Sequence, residues 1–314
     1  MAKNFYGFSE DPFTLDPDPR FLYLAPGHVK ALSCMMQGIR EKKGLIVVTG
    51  EVGIGKTLLI HALLKDLDEK VKTAFVFNTR LDFRGVLKNV LRDLGVVCKE
   101  ENTSSLITAF RNYLHERLDR EEAVAIVVDE AQSLDKEVLE GFFRLLAEDS
   151  PALRCLQIVL VGHPELKRKL SSEKSLPLRR RAGTQCEIKA LTRDEGRRYV
   201  ELRLKLVGRD MSKVLTPDAV DRILKFSEGI PRVTNLLCNR VFSLGAIDSM
   251  PKITSPVVAR AIKEIRYLRP SKSTVLHVEQ PKPRAGYRIM RILFVLFSVS
   301  VFLFSFSKIV PFLF

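Results

Sequence analysis

One stretch of the sequence, "LIVVTGEVGIGKTLLIHALL" from Leu45 to Leu64, constrains the fold more than any other. A β-branched apolar run typical of a buried strand ends in a glycine-rich turn, which leads into Lys-Thr and a helix-like segment. The turn fits the pattern G-x-x-x-x-G-K-[ST] and lies between a strand and a helix, where that motif occurs. A glycine-rich loop that arose by chance is the alternative, and the flanking strand and helix argue against it.

The glycine-rich turn predicts a phosphate site. Glycines let the backbone curl so that several N–H groups point at phosphate oxygens, and the helix N-terminus adds a partial positive charge. We expect Lys56 to reach the β- and γ-phosphates of ATP and the Thr57 hydroxyl to ligate Mg²⁺. The predicted nucleotide-binding residues are Gly50, Glu51, Val52, Gly53, Ile54, Gly55, Lys56, Thr57, Leu58 and, further along the chain, Arg232.

A second apolar strand, "AIVVDEAQ", ends in two adjacent acids. We expect Asp129 to hold Mg²⁺ together with Thr57, and Glu130 to act as the general base that polarises the attacking water. Acids are common at strand ends, so the pair is informative mainly because it follows a phosphate loop. Together the two motifs predict hydrolysis of ATP rather than nucleotide binding alone.

Three further positions make sense beside such a site. His163, after the strand "LQIVLVG", is expected to contact the γ-phosphate or the lytic water; a partly exposed strand-end histidine is the alternative. One arginine of the run Arg179, Arg180 and Arg181 could be inserted into the site of a neighbouring subunit and stabilise charge in the transition state, and we expect this residue to be Arg181. A solvated basic turn is the alternative. Arg232, at a helix start in "EGIPRVTNLLCNR", could reach back to the γ-phosphate.

The pattern of the chain predicts an α/β fold. Five apolar runs, "LIVVTG", "TAFVFN", "AVAIVVDE", "LQIVLVG" and "TQCEIKAL", alternate with helical patterns, which indicates a parallel five-stranded sheet flanked by helices. From Thr192 the pattern is wholly helical and opens with a capping box, Thr192 and Glu195. The predicted divisions are an N-terminal segment packing on the ATPase core (1–43), the α/β domain (44–191), a helical lid (192–268), a linker (269–288) and a transmembrane helix (289–314).

The C-terminal tail predicts the membrane helix. No charge occurs from Ile292 to Ser307, and about 23 residues at a rise of 1.5 Å could cross a hydrocarbon core of about 30 Å. A core helix or an interfacial helix is the alternative, but apolar residues occupy every face and only scattered serines are polar. Four basic residues precede the segment: Lys282, Arg284, Arg288 and Arg291. They predict that the ATPase domain stays cytoplasmic, and they favour contact with anionic inner-membrane lipid.

Composition narrows the partners. The net charge of +14 suggests an anionic partner such as a nucleotide, nucleic acid or lipid headgroup. Nucleic acid is not expected, because no helix-turn-helix or zinc signature accompanies the charge. The five cysteines are scattered and form no C-x-x-C pair, which argues against a disulfide framework or a zinc site. The N-terminus has no apolar h-region, so we expect no cleavable secretory signal.

These motifs, in this order, resemble the Walker A, Walker B, sensor 1, arginine finger and sensor 2 of AAA+ ATPases. More narrowly, the chain resembles the ExeA-type (general secretion pathway protein A) ATPases across about residues 4 to 268. The resemblance rests on "FYGFSEDPFTLDPDPRFLYLAPGH", "GEVGIGKT", "VDEAQ", "VLVGHPEL" and "GIPRVTN". The family usually has glutamine at the position of His163.

The resemblance implies a bacterial inner-membrane ATPase that acts with a partner membrane protein in assembling a secretion, pilus or polysaccharide export complex. It also implies a homo-oligomeric ring, if an arginine finger comes from a neighbour. Larger members continue into a periplasmic peptidoglycan-binding domain, and this chain is expected to be a short form without it. Two alternatives stay open: a nucleotide-switched DNA-binding ATPase, like transposition regulators, and a scaffold in which nucleotide only stabilises the fold.

Overall fold

The computed structural model describes residues 2–16, 18–98, 102–148, 150–171 and 182–268. The predictions for Arg179, Arg180 and Arg181, for the linker 269–288 and for the transmembrane helix 289–314 lie outside these residues. Among the helices of the described ranges, none combines the length and the apolar character needed to cross a bilayer.

Strands and helices alternate in the first part of the chain and give way to helices alone in the second. The first part comprises α1 (Ala2–Tyr6), α2 (Pro26–Arg40), β1 (Leu45–Gly50), α3 (Lys56–Asp66), β2 (Val71–Val76), α4 (Phe83–Asp93), α5 (Thr103–Asp119), β3 (Ala123–Val128), α6 (Lys136–Ala147), β4 (Leu156–Gly162), α7 (Glu165–Leu170) and β5 (Ala182–Ile188). The second comprises α8 (Arg193–Leu206), α9 (Met211–Val214), α10 (Pro217–Ser227), α11 (Pro231–Ile247) and α12 (Ser255–Leu268).

The five strands form one sheet in the order β2-β3-β4-β1-β5, and every neighbouring pair is parallel. The predicted parallel five-stranded sheet is therefore confirmed. Strands β1, β3 and β4 are buried along their whole length, because helices cover both faces of the sheet. Since these three strands are neighbours, their carboxyl ends lie side by side at one edge.

The helical lid begins at the predicted capping box. The backbone N–H of Thr192 donates to Glu195 Oε2 at 2.8 Å, and the N–H of Glu195 donates to Thr192 Oγ1 at 3.3 Å. These bonds satisfy two N–H groups that a helix start otherwise leaves without partners. Buried apolar residues of α8, α10, α11 and α12 then form a core separate from the two beside the sheet.

An N-terminal arm, residues 2–16 and 18–25, packs on this lid core. The ring of Phe242 on α11 lies 5.0 Å from that of Tyr6, 5.3 Å from Phe8 and 5.7 Å from Phe13, measured between centroids. Arg203 on α8 adds a buried hydrogen bond, donated from Nη1 to the carbonyl of Pro12 at 2.6 Å. The arm is thus an aromatic extension of the lid, although the rest of the lid follows far later in the chain.

The described residues of the segment 1–43, which was predicted to pack on the ATPase core, lie against two different parts of the structure. Helix α2 does pack on the sheet, where Met35 and Ile39 join the apolar cluster that includes Ile46. The arm before it packs on the lid instead. The physical reason is that the aromatic side chains of the arm bury their rings around Phe242 of the lid.

Replacement of Phe13 by Ala should destabilise the protein strongly. Phe13 is only 1% exposed, and emptying such a site costs about 3–5 kcal/mol of unfolding free energy. Chemical denaturation followed by circular dichroism measures the loss. Phe77→Ala is the control, because Phe77 is 65% exposed and its removal should change stability by less than about 0.5 kcal/mol. Equal effects of the two substitutions would contradict the packing of the arm.

Candidate active site

The phosphate loop, residues 50–58, connects β1 to α3. Gly53 and Gly55 have φ angles of 80° and 107°, in the left-handed region that side chains rarely adopt. Ile54 between them is fully buried and anchors the loop to the apolar cluster that α2 and α3 form with one face of the sheet. The two glycines therefore allow the tight backbone turn of the phosphate loop, while Ile54 fixes the position of that loop against the core.

Lys56, the first residue of α3, folds back over this loop. Its Nζ donates to the carbonyl oxygens of Gly50 at 3.0 Å and Glu51 at 3.1 Å, and the residue is only 5% exposed. Burial lowers the pKa of Lys56, and the nearby carboxylates of Glu130, Asp129 and Glu51 oppose that shift. The ammonium is thus held inside the loop, where phosphate oxygens would meet it.

Thr57 and Asp129 meet although 71 residues separate them in the chain. The Thr57 hydroxyl donates to Asp129 Oδ2 at 2.7 Å. Burial raises the pKa of Asp129, which is 7% exposed, and the hydrogen bond from Thr57 opposes the rise. A hydroxyl and a carboxylate are the oxygen ligands that Mg²⁺ uses in nucleotide sites. The structure therefore brings together the two residues predicted to hold the metal.

Glu130 follows directly and has a left-handed backbone, with φ 50° and ψ 38°. Its N–H donates to Asp129 Oδ1 at 2.8 Å, which ties the two acids together. Its side chain is exposed, and its Oε2 accepts a hydrogen bond from Gln132 Nε2 at 2.6 Å. A non-glycine residue with positive φ is strained, and such strain is concentrated at functional sites.

His163 lies at the end of β4, the strand between β3 and β1 in the sheet. Its Nε2 is 3.1 Å from Oε2 of Glu51, so the side chain contacts the phosphate loop. The backbone N–H of His163 donates to Gln132 Oε1 at 2.8 Å. Whether His163 contacts the γ-phosphate or the lytic water stays a prediction.

Arg232 comes from the lid, yet it touches the phosphate loop. Its backbone N–H donates to the carbonyl of Gly53 at 3.2 Å, and a Cβ added to Gly53 would lie 2.6 Å from that of Arg232. Its side chain is exposed beside the loop. The lid is thus joined to the nucleotide site at this arginine. Its contact with the γ-phosphate stays a prediction, as does the finger role of Arg181, which lies outside the described residues.

Two side chains at the site were not predicted from the sequence. His28, in the first turn of α2, is 4% exposed, and its Nε2 is 2.9 Å from the carbonyl oxygen of Ile54. This contact links α2 to the phosphate loop at Ile54. Gln132 contacts both Glu130 and His163. The only sequence signal for Gln132 is its place directly after the acidic pair in "VDEAQ", and nothing in the sequence links His28 to the loop.

Comparisons with known proteins agree with this geometry. Residues 39–170 match the family described as "AAA domain". The General secretion pathway protein A of Aeromonas hydrophila is 30% identical over 270 residues, which cover 86% of this chain and 49% of that protein. The Holliday junction branch migration complex subunit RuvB of Salinibacter ruber is 24% identical over 223 residues, covering 70% of this chain and 57% of RuvB. The chain thus spans about half the length of the curated relatives it matches.

Solved structures agree with the fold. The ORC2 protein of Aeropyrum pernix superimposes with a TM-score of 0.61 at 19% identity, covering 82% of this chain and 72% of that chain. Cdc6p of Pyrobaculum aerophilum gives a TM-score of 0.62 at 16% identity, covering 80% and 71% respectively. At these identities the likeness concerns the fold alone, which is the α/β fold of AAA+ P-loop proteins with its parallel five-stranded sheet.

Replacement of Gly53 by Ala should damage nucleotide binding, because the new Cβ would meet Arg232 as well as an unfavourable backbone angle. Gly95→Ala is a matched control: its φ of 81° is almost the same as the 80° of Gly53, but no atom lies within 4 Å of the added Cβ. The backbone strain, of order 1 kcal/mol, is shared. Titration with a fluorescent ATP analogue should show weaker binding for Gly53→Ala only, and equal affinities would contradict the contact between lid and loop.

Proposed function

The chain belongs to the AAA+ ATPases of the general secretion pathway protein A type, and from that premise we propose that it hydrolyses ATP with Mg²⁺. One observation carries the proposal: the Thr57 hydroxyl and the Asp129 carboxylate lie 2.7 Å apart beside a buried lysine, with Glu130 next to them. The donor set fits a magnesium-bound triphosphate, because two oxygen ligands and an ammonium face the glycine-lined loop. A side chain at Gly53 would meet Arg232, and one at Gly55 would be strained by the φ of 107°.

Each residue has a role in this reaction. Lys56 binds the β- and γ-phosphate oxygens, and Thr57 and Asp129 hold the metal. Bound Mg²⁺ supplies positive charge that offsets the charge of the phosphates during cleavage. Glu130 orients the attacking water and accepts its proton on a carboxylate oxygen.

Further residues couple the site to its surroundings. His163 at the end of β4 and Arg232 from the lid contact the γ-phosphate side, so each responds to whether ATP or ADP is bound. Arg181, supplied by a neighbouring subunit, stabilises charge in the transition state, and this role makes a homo-oligomeric ring the active form.

We further propose that hydrolysis drives assembly or remodelling of a cell-envelope secretion or export complex. The similarity to the General secretion pathway protein A of Aeromonas hydrophila supports this role, as does the uncharged apolar tail of the sequence. In this proposal residues 289–314 anchor the chain in a bacterial inner membrane, and the preceding basic residues keep the ATPase domain cytoplasmic. The direct partner is then a membrane protein of that complex.

Replacement of Lys56 by Ala should abolish ATP binding, and Glu130→Gln should preserve binding while lowering kcat by about 100-fold or more. Lys65→Ala is the control, because Lys65 is an exposed lysine on the same helix and its loss removes the same charge. Phosphate release and equilibrium binding of a fluorescent ATP analogue measure the two effects. Unchanged turnover in both site variants would rule out the assignment of the site.

A DNA-binding ATPase is the second candidate, favoured by the net charge of +14 and by the similarity to RuvB, a subunit of a Holliday junction branch migration complex. Such a protein would bind DNA through phosphate contacts, and its affinity would fall steeply with salt. The two candidates differ in where the chain resides and in which polyanion it binds.

Cell fractionation separates the two candidates. We expect the full chain to pellet with membranes and resist carbonate extraction, because a helix inserted in lipid is not released by alkaline washing. A variant ending after residue 268 is the matched comparison and should be released. A full chain found in the soluble fraction with salt-sensitive DNA affinity would favour the DNA-binding candidate and contradict the envelope role.

A further inference from the structure

The side chain of Gln132 lies between two groups of the active site. Its Nε2 donates to Glu130 Oε2 at 2.6 Å, and its Oε1 accepts from the N–H of His163 at 2.8 Å. Glu130 follows β3 and His163 follows β4, so one half-buried amide joins the ends of two neighbouring strands. None of the roles described above uses this residue.

The chemistry of the partners fixes the orientation of the amide. A backbone N–H can only donate, so the oxygen of Gln132 must face His163. The NH₂ group therefore faces Glu130, whose carboxylate oxygen accepts from it at 2.6 Å. Hydrogen bonds to a carboxylate are stronger than those between neutral groups, so Gln132 holds the carboxylate firmly.

The surroundings of Gln132 leave it little freedom. It lies in a short turn, Ala131–Ser133, in which the N–H of Ser133 donates to the carbonyl of Glu130 at 2.9 Å. Its own carbonyl accepts from Lys169 Nζ at 3.0 Å. A Cβ added to Gly162 would lie only 2.5 Å from Gln132 Oε1, so the amide fits closely against the end of β4.

The Glu130 carboxylate is linked through Gln132 to a residue that contacts the phosphate loop: Gln132 also binds His163, whose Nε2 is 3.1 Å from Glu51 Oε2. Burial lowers the pKa of Lys56, and among the three carboxylates that oppose this shift Glu130 has the largest effect. That effect requires the Glu130 charge to lie near the lysine ammonium. The contact with Gln132 therefore holds the carboxylate on the side of the site where phosphates would bind.

We propose that Gln132 is a positioning residue that holds the Glu130 carboxylate toward the phosphate loop and links its place to the end of β4. The proposal rests on the ATP hydrolysis proposed above. Gln132 itself accepts no proton and binds no metal; it limits the orientations of the group that orients the water. Loss of such positioning lowers the rate of the chemical step rather than the affinity for ATP.

Two substitutions of Gln132 test the proposal. Gln132→Ala removes both contacts, whereas Gln132→Glu keeps an acceptor for His163 and places a second carboxylate against Glu130. We expect both to lower kcat on the order of 10- to 100-fold, with the dissociation constant of a fluorescent ATP analogue changed less than about threefold. Gln37→Ala is the matched control, because Gln37 makes the same 2.6 Å amide–carboxylate bond to Glu41 on the exposed face of α2.

A double-mutant cycle separates positioning from a purely structural role. If Gln132 acts through Glu130, Gln132→Ala should lower kcat by less than about twofold when Glu130 is already Gln. Hydrogen–deuterium exchange gives a readout independent of activity: the amide of His163 should exchange faster in Gln132→Ala than in the parent chain, because it loses its acceptor.

The outcomes are distinct. A parent chain that turns over ATP, with Gln132→Ala retaining its kcat or Gln132→Glu fully active, would overturn the positioning role and leave the ATPase proposal intact. Equal losses in the parent and Glu130→Gln backgrounds would also overturn it, since the effect would then not pass through Glu130. A parent chain without ATP turnover would overturn both proposals.

Discussion

The parallel pairing of β1, β3 and β4 is the constraint on which the site depends. Parallel strands all end at the same edge of a sheet, and these three are neighbours in the order β3-β4-β1. The phosphate loop, the acidic pair and His163 each follow one of these strands. No long loop has to bring them together, because backbone hydrogen bonds between fully buried strands already set their spacing. In open α/β sheets ligands bind at the carboxyl ends of the strands, and the phosphate loop, the acidic pair and His163 lie there.

The site holds opposite charges close together in a partly desolvated space. Lys56 is buried against the carbonyl groups of its own loop, and Asp129 nearby is also buried. Burial makes each charged form less favourable, while the presence of the other offsets part of that cost. The Thr57 hydroxyl and the backbone amide of Glu130 complete the hydrogen bonding of Asp129. The polar groups are therefore in place within the protein alone, which limits the rearrangement that binding would require.

The sequence correctly predicted those features that depend on local residue patterns, such as the bounds of fully buried strands. Strands β1 and β4 begin and end where the apolar runs "LIVVTG" and "LQIVLVG" do, because each is buried on both faces. The run "TAFVFN" was less reliable: β2 ends at Val76, and Phe77 is exposed. The packing of the N-terminal arm could not be read from its own residues, since it depends on Phe242 far along the chain. Gln132 was missed for a similar reason, because its partners belong to two different strand ends.

The path of the N-terminal arm affects how the lid can move. The chain leaves the sheet for the lid after β5, and Leu191 is already part of the lid core. The arm makes a second covalent crossing, from Ala25 in the lid core to α2 on the sheet. A body attached at one point can swing in any direction, but a body attached at two points turns most easily about the line that joins them. The double attachment therefore favours rotation of the lid about one axis. A displacement of Arg232 at the phosphate loop would then rotate the lid about that axis rather than loosen its packing in all directions.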